Sequence, residues 1–498
     1  MGTIEDIDSS PADAAWRTVK EQTTIPTTSL SVFRQGKPFS SDDALSIGRH
    51  CIFYPFAFHR DGTSEKHPDA MHMSNLDGFL KTDLGHIPYI YEGLRNTWFE
   101  TELSPTSGNI LENGLQQLQQ DHESGARKLA AVSLNILRDV LEHLEDPIRL
   151  DGPWWLKARL AAWHLWKNGR PSMDAAIISF LLLALREITT SLSLTNVDSM
   201  CRHSHIHTAL DRVQKMIRSF TPRISNNLAS YMRSKGSSCS SKPTLQRKTT
   251  FTILTLSASS TIRECIVQAA LASGAPFIDV RVLESRPLFE GVSMAGSIIN
   301  SFEALQNHQN GILHHPKVRV TIYTDASVAQ AAAGADLLLL GADRISPEGS
   351  VSNKTGSIPA ALSVRHTARG GETIVVSEIY KVAMQTENTT EEHDIMENNE
   401  ASEVMGAWEQ NDRLKGLDII QDRFESHDSN HHDVQQQQPE PQPQKNQSVA
   451  TVQNVYFEWV PPSLIDTYIC EDGMKTAVDF QRQSQWVSEQ CELFFGRY

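Results

Sequence analysis

A chain of 498 residues with a formal net charge of −15 is too long for one ordinary core and too acidic for a surface that tracks a phosphate backbone. Two or three domains are therefore expected, with basic character confined to local patches, and no direct nucleic-acid partner. Six cysteines, at 51, 201, 239, 265, 470 and 491, form no C-x-x-C pair, which speaks for reduced thiols over a disulfide scaffold or a zinc site. The acidic start MGTIEDIDSS offers neither a secretory apolar core nor an Arg-rich presequence. The longest apolar run, AAIISFLLLAL at 175–185, is short for a bilayer, so a buried helix in a cytoplasmic protein is expected, with no membrane partner.

Residues 1–105 read as α+β: the stretch GTIEDIDSSPADAAWRTVKEQTTI is followed by short, turn-punctuated, strand-like segments such as LSVFRQGKPF and CIFYPFAFHR. The first of these resembles a damaged Nudix hydrolase box, whose helix must turn several carboxylates toward a magnesium ion on a diphosphate. Arg17 and Glu21 match that box, Gly2 is retained, and Asp8 stands for a glutamate with one extra residue before Arg17. Thr18 and Gln22 occupy positions where metal-binding glutamates belong, and Thr24 replaces a glycine. Two lost carboxylates remove most of the charge compensation for the ion. The resemblance thus implies a truncated, inactive remnant, and no metal site is expected. The alternative is a working diphosphatase that depends on Glu21.

From 108 to 232 the pattern is helical. Ala130, Leu134, Leu137, Leu141 and Leu144 lie on one helical face, and the tryptophans of DGPWWLKARLAAWHLWKNG at 151–169 are expected to pack rather than to stack on a ligand. His203, His205 and His207 do not share a helical face, which argues against a metal site and for a solvated helix start. Residues 233–249 read as a polar linker.

From 250 to 498, β-rich runs (FTILTL, PFIDVRVLE, VRVTIYT, DLLLLGA, ETIVVSE) alternate with helical segments, which predicts a doubly wound parallel sheet of Rossmann-like type. The fold class is α/β, with the helical subdomain before the sheet. Residues 384–450, with ENTTEEHDIMENNE and VQQQQPEPQPQ, are expected to be a disordered insertion. The N-x-S/T triplets at Asn388 and Asn446 lack a secretory context and are treated as chance matches.

The stretch ADLLLLGADRISPEGSVSNKTGSIPAAL at 335–362 concentrates the chemistry. Asp343 should sit just past a buried strand, where ligands of parallel sheets bind. Asn353, Lys354 and Gly356 are expected to offer an amide, a cation and an exposed backbone N–H to an anion at the start of the next helix.

GADRI followed by NK-x-G resembles the regulatory subunits of translation initiation factor 2B and their metabolic relatives, methylthioribose-1-phosphate isomerase and ribose-1,5-bisphosphate isomerase. ILTLSASSTI, VLESRPLFEG, YTDASVAQAAAGADLLLLGAD, VVSEIYKV and FEWVPPSLIDTYICEDG follow in the order of that family, and QQDHESGARKLAAVSLNIL is similar to its helical segment, so the resemblance spans roughly residues 110–498. It implies that the helical subdomain caps a sugar-phosphate site. It also implies that the isomerase pair, a cysteine and the aspartate of GAD, falls on Ser257 and Asp343. One group of such a pair handles a carbon-bound hydrogen while the other shuttles a hydroxyl proton. A serine hydroxyl is a far weaker acid than a thiol, whose reference pKa is about 8.5. Cys265, eight residues downstream, is read as a small buried thiol.

Ligand contacts are implied at Glu284, Arg286 and Gly291 in ESRPLFEG, and at Gly125 and Ala126, where Ser124 replaces the arginine of an Arg-Gly-Ala triplet and Arg127 is displaced from it. Asp325 is expected to cap the helix SVAQAAAG. No cofactor is expected. Three readings follow: a non-catalytic factor 2B-like subunit of a regulatory or assembly type, a sugar-phosphate isomerase using Asp343 with Ser257 or water, and a Nudix diphosphatase. A homodimer or related factor 2B subunits are the expected partners, with a phosphorylated sugar or nucleotide as ligand.

Overall fold

The structure is a computed structural model describing residues 3–5, 7–8, 10–23, 25, 29–41, 51–60, 88–121, 124–193, 201–238, 249–308, 316–384, 399–409, 414–423 and 450–496. Gly2, Thr24, Cys239, Asn388 and Asn446 lie outside the described residues.

The N-terminal region places helix α1 (Pro11–Gln22) beside two antiparallel pairs, β1 (Leu30–Gln35) with β4 (Phe56–Arg60) and β2 (Phe39–Ser41) with β3 (Cys51–Phe53). Ser10 caps α1 by accepting the Asp13 N–H, and Pro11 opens it with the φ a first turn needs. Arg17 on α1 holds Asp8 at 2.7 Å and Glu21 at 3.3 Å. The region is welded to the helices that follow. Buried Arg34 pairs with Glu100 at 2.7 Å and Glu112 at 2.5 Å, and Asn168 brackets Gln35, accepting its N–H at 2.7 Å and donating to its carbonyl at 3.0 Å.

Helices α2 (Pro88–Thr97), α3 (Pro105–Gln120), α4 (Ala126–Glu142), α5 (Pro153–Asn168), α6 (Asp174–Ser193) and α7 (Arg202–Ser238) follow. Ala130, Leu134, Leu137 and Leu141 are buried on α4, and the fifth predicted position, Leu144, is buried just past its end, as are Trp154, Trp155, Trp163 and Trp166. The segment Pro171–Ser193 is longer than the apolar run read from the sequence, and by length and composition it could cross a membrane. Its apolar side chains, among them Ile177, Leu181 and Leu185, are packed inside the helical core instead. Helix α7 runs to Ser238, six residues into the segment expected to be a linker, and His207 at its start meets Glu142 at 3.1 Å.

The second half is a seven-stranded sheet built from β5 (Thr250–Leu256), β6 (Phe277–Leu283), β7 (Lys317–Tyr323), β8 (Leu337–Leu340), β11 (Glu372–Val376), β13 (Thr467–Cys470) and β14 (Gly473–Lys475). Their spatial order is β14-β13-β11-β8-β5-β6-β7, and every neighbouring pair is parallel except β13–β14. Alternation along β8 divides two cores: Leu337 and Leu339 join the cluster continuous with the helical bundle, while Leu338 and Leu340 join the cluster on the opposite face. Helices α8 (Ser260–Ser273), α9 (Glu290–His308), α10 (Val328–Ala332) and α11 (Ser357–Thr367) connect these strands.

Between β8 and β11 the chain adds β9 (Arg344–Ile345) and β10 (Val351–Lys354), which pair antiparallel with each other and, through β10, with β12 (Phe457–Val460). Asn353 and Lys354 therefore stand on a strand and not at a helix start. The segment expected to be wholly disordered contains α12 (Ala401–Glu409) and α13 (Leu417–Arg423). Helix α12 is tied down because buried Asn454 donates to the Glu400 carbonyl at 2.9 Å and to Glu403 at 2.8 Å. Helix α14 (Ala477–Phe495) closes the chain behind a capping box of Thr476 and Asp479.

Candidate functional site

The chain leaves β5 outward through β6 and β7, then returns to lay β8 against the other side of β5. That reversal makes the gap between β5 and β8 the topological switch point, outside whose carboxyl ends a crevice must open. Ser257 directly follows β5, and Asp343 comes three residues after β8. The pairing of Leu254 with Leu338 brings both strand ends to the same edge. The two residues expected to work together are thus delivered to one place.

Ser257 adopts the left-handed conformation with φ 58°, an unusual value for a residue bearing a side chain. Its N–H donates to Ser285 Oγ at 2.8 Å, and its hydroxyl donates to Glu290 Oε2 at 3.2 Å. The other Glu290 oxygen meets Lys354 Nζ at 3.0 Å, and that ammonium rests over the Tyr456 ring at 4.3 Å. Ser257, Glu290 and Lys354 form one continuous polar chain. The crevice beside it, between the 285–290 turn, Lys354–Thr355 and Val455–Tyr456, encloses about 10 Å³, room for about one water.

Asp343 keeps partial solvent access, and its backbone N–H is held by the Ser352 carbonyl at 2.9 Å. Burial pushes its carboxyl above the usual carboxylate range; Lys381 and Lys354 oppose that shift, while Glu290 and Glu378 reinforce it. Lys381 donates to the Ala342 carbonyl at 2.7 Å and lies 3.1 Å from Glu378. Glu378 is 1% exposed, yet its carboxyl is held below the usual range, because Lys381 and Arg127 outweigh the cost of burial. Arg127 lies 3.5 Å from Glu378 and donates to Ser260 Oγ at 2.6 Å and to Thr221 Oγ1. The displaced arginine therefore reaches Glu378 from the first turn of α4, while Gly125 is the N-cap of that helix and Ala126 is buried in the same turn.

Several expected contacts are used within the protein. Arg286 bends back to Glu284 at 2.8 Å. Asp325 does not cap the following helix: it accepts the Ser285 and Arg286 N–H groups at 2.9 and 2.8 Å, because the parallel pairing of Leu283 with Tyr323 sets the two strand-end loops side by side. Gly291 packs so closely that a Cβ there would collide with the Leu283 carbonyl oxygen. Buried Asn353 donates to Ser357 Oγ at 2.8 Å. Gly356, with φ 108°, donates its N–H to Glu458 at 2.8 Å, and Ile358 donates to the same oxygen at 2.7 Å. The helix end expected to receive a ligand anion already holds a carboxylate of the chain. Cys265 is fully buried in α8, and burial pushes its thiol well above the ordinary range.

Glu290, Glu378, Lys381 and Arg127 are site residues that the sequence reading did not assign. Glu378 and Lys381 follow the apolar run of β11 as Asp343 follows β8, so the same rule applied to the next strand finds them. Glu290 carries no local signal, since its partners are 33 residues before it and 64 after it. Among the described residues, no group of three or more His, Cys, Asp or Glu side chains is arranged to hold a metal ion.

Residues 172–477 match the initiation factor 2 subunit family, which leaves the N-terminal region outside the match and is narrower than the span read from motifs. No curated protein matches the chain. The solved structures it is similar to include translation initiation factor eIF-2B from Pyrococcus horikoshii OT3 (19% identity, 73% of this chain and 96% of that one, TM-score 0.45). They also include the tetrameric eIF2B-beta2-delta2 complex from C. thermophilum (12%, 78% and 98%, TM-score 0.48). A third is 5-methylthioribose 1-phosphate isomerase from Pyrococcus horikoshii OT3 (15%, 76% and 87%, TM-score 0.46). The family match covers more than half of the chain, which therefore belongs to the initiation factor 2 subunit family.

Proposed function

We propose that this chain is a non-catalytic factor 2B-type subunit with a regulatory or assembly role, in which the sugar-phosphate crevice of the fold is kept as architecture and not as an active site. The observation that carries the reading is the chain Ser257–Glu290–Lys354. The hydroxyl at the position where isomerases hold a thiol acts as a hydrogen-bond donor to a carboxylate, and the cation that would meet a phosphate is engaged by that same carboxylate. The crevice beside it has room for about one water, too little to hold a sugar phosphate as it stands. In this reading the protein works in the cytoplasm, as a homodimer or with related subunits of a guanine nucleotide exchange complex, through residues 108–232 and 250–498 joined by 233–249. Residues 1–105 are a degenerate Nudix-like remnant without hydrolase activity, a view supported by the engagement of Asp8 and Glu21 by Arg17.

A second reading, an aldose–ketose isomerase acting on ribose 1,5-bisphosphate or methylthioribose 1-phosphate, is favoured by Asp343, whose raised carboxyl beside Lys381 and Lys354 suits proton transfer. Turnover of both sugar phosphates by the full chain separates the two. The subunit reading expects none above the blank, and turnover that disappears in Asp343→Asn overturns it. Affinity purification from native extract is expected to recover related subunits.

A further inference from the structure

Away from the crevice, a cavity of about 430 Å³ lies at the seam of the N-terminal region, the helical bundle and the C-terminal end of α14, within the size range of small-molecule sites. Three cations line it. Arg95 is bound by Glu102 through two hydrogen bonds of 2.5 and 2.7 Å, and Lys157 by Asp146 at 2.6 Å. Lys37 differs: among the described residues no carboxylate comes within 4.0 Å of its ammonium, although the side chain is largely enclosed. Phe39, Leu160 and Phe495 supply an apolar wall. Nothing in the chemistry proposed for the crevice uses this pocket.

A half-buried ammonium with no carboxylate within reach is readily neutralised by an anion that enters the cavity. Burial, and after it neighbouring Arg159, push Lys37 down to about 8, with Glu92 opposing them. Both lining carboxylates, Glu92 and Glu102, lie on Arg95, so among the described lining residues Lys37 is the cation left for one anionic group, and the hydrophobic wall suits an apolar body attached to it. We propose that this cavity is a binding site for a small organic monoanion, its charged group on Lys37 and its aromatic or branched body against Phe39, Leu160 and Phe495.

The test uses the full chain with 8-anilinonaphthalene-1-sulfonate as the anionic probe and N-phenyl-1-naphthylamine as its uncharged counterpart, each titrated by fluorescence. One saturable site is expected, at least tenfold tighter for the sulfonate. Lys37→Met should weaken sulfonate binding at least tenfold, and Lys37→Arg should hold it within about threefold. Equal affinity for the two probes in the unsubstituted protein, absence of a saturable site, or sulfonate binding unchanged in Lys37→Met each overturns the proposal. The comparison of probes does not depend on any variant folding.

Discussion

The Ser257 hydroxyl points at the Glu290 carboxylate, 3.2 Å away, and Glu290 in turn holds Lys354 at 3.0 Å. Because the ion pair is partly enclosed, its loss has two separable consequences. Glu290→Gln should lower stability by about 1 kcal/mol, the usual scale for a partly screened pair. It should also leave Lys354 without its carboxylate and so tighten binding of inorganic phosphate several-fold. Urea unfolding reads the first effect and calorimetric titration the second. An unchanged phosphate affinity would show that Lys354 does not face a ligand.

Gly291 is sterically enforced. An added Cβ runs into the Leu283 carbonyl oxygen, a backbone atom that cannot swing aside, at the point where α9 starts against the end of β6. Gly291→Ala should therefore cost about 3 kcal/mol or more, at the upper end of overpacking penalties, and lower the thermal midpoint sharply. Gly296, on the same helix with nothing within 4 Å of an added Cβ, should accept alanine with little change or a small gain.

Glu458 closes the N-terminus of α11 by accepting the Gly356 and Ile358 N–H groups. Replacing it with alanine strands both donors and removes a charge favourable to the helix dipole. Glu458→Ala should cost about 1–2 kcal/mol in chemical denaturation. Glu458→Gln, which keeps an acceptor, should cost less than half of that. A cost equal for the two variants would assign the effect to charge alone.

His164 is fully buried, hydrogen-bonded to the Asn96 carbonyl at 3.1 Å and to the Asn168 amide at 2.8 Å, and burial lowers its pKa to about 3, with Arg34 adding to the shift. A base whose folded pKa lies below its unfolded value of about 6.5 contributes stability that is complete above 6.5 and is lost as pH falls toward 3. The expected slope from this residue is about 1.4 kcal/mol per pH unit within that window. His164→Gln should flatten the acid limb of a stability–pH profile by that amount.

Glu471 gives the opposite sign. It is 5% exposed, and burial raises its carboxyl to about 7, with Glu378 adding to the shift. A carboxyl with a raised folded pKa favours the folded state most below its unfolded pKa of about 4.5, and that advantage fades as pH climbs to 7. Glu471→Gln keeps an acceptor for the Ile379 N–H and should stabilise the protein at pH 8 by roughly 2–3 kcal/mol, with no gain at pH 4.

The order of elements, the parallel sheet and the buried helical face of Ala130 to Leu144 are readable from the chain alone, because the period of the apolar residues is a local property that burial only confirms. The same holds for Asp343, whose place past an apolar run marks a strand end. What the linear order does not carry is which loops meet. Asp325 looks like a helix cap until the register of Leu283 with Tyr323 turns it toward Ser285, and Gly356 looks like an open anion donor until β12 brings Glu458 to it from 102 residues away. Arg127 and Glu290 become site residues for the same reason. Helix phase and strand pairing place their charges opposite partners distant in sequence, and charge pairing, unlike periodicity, depends on distances that only the folded chain sets.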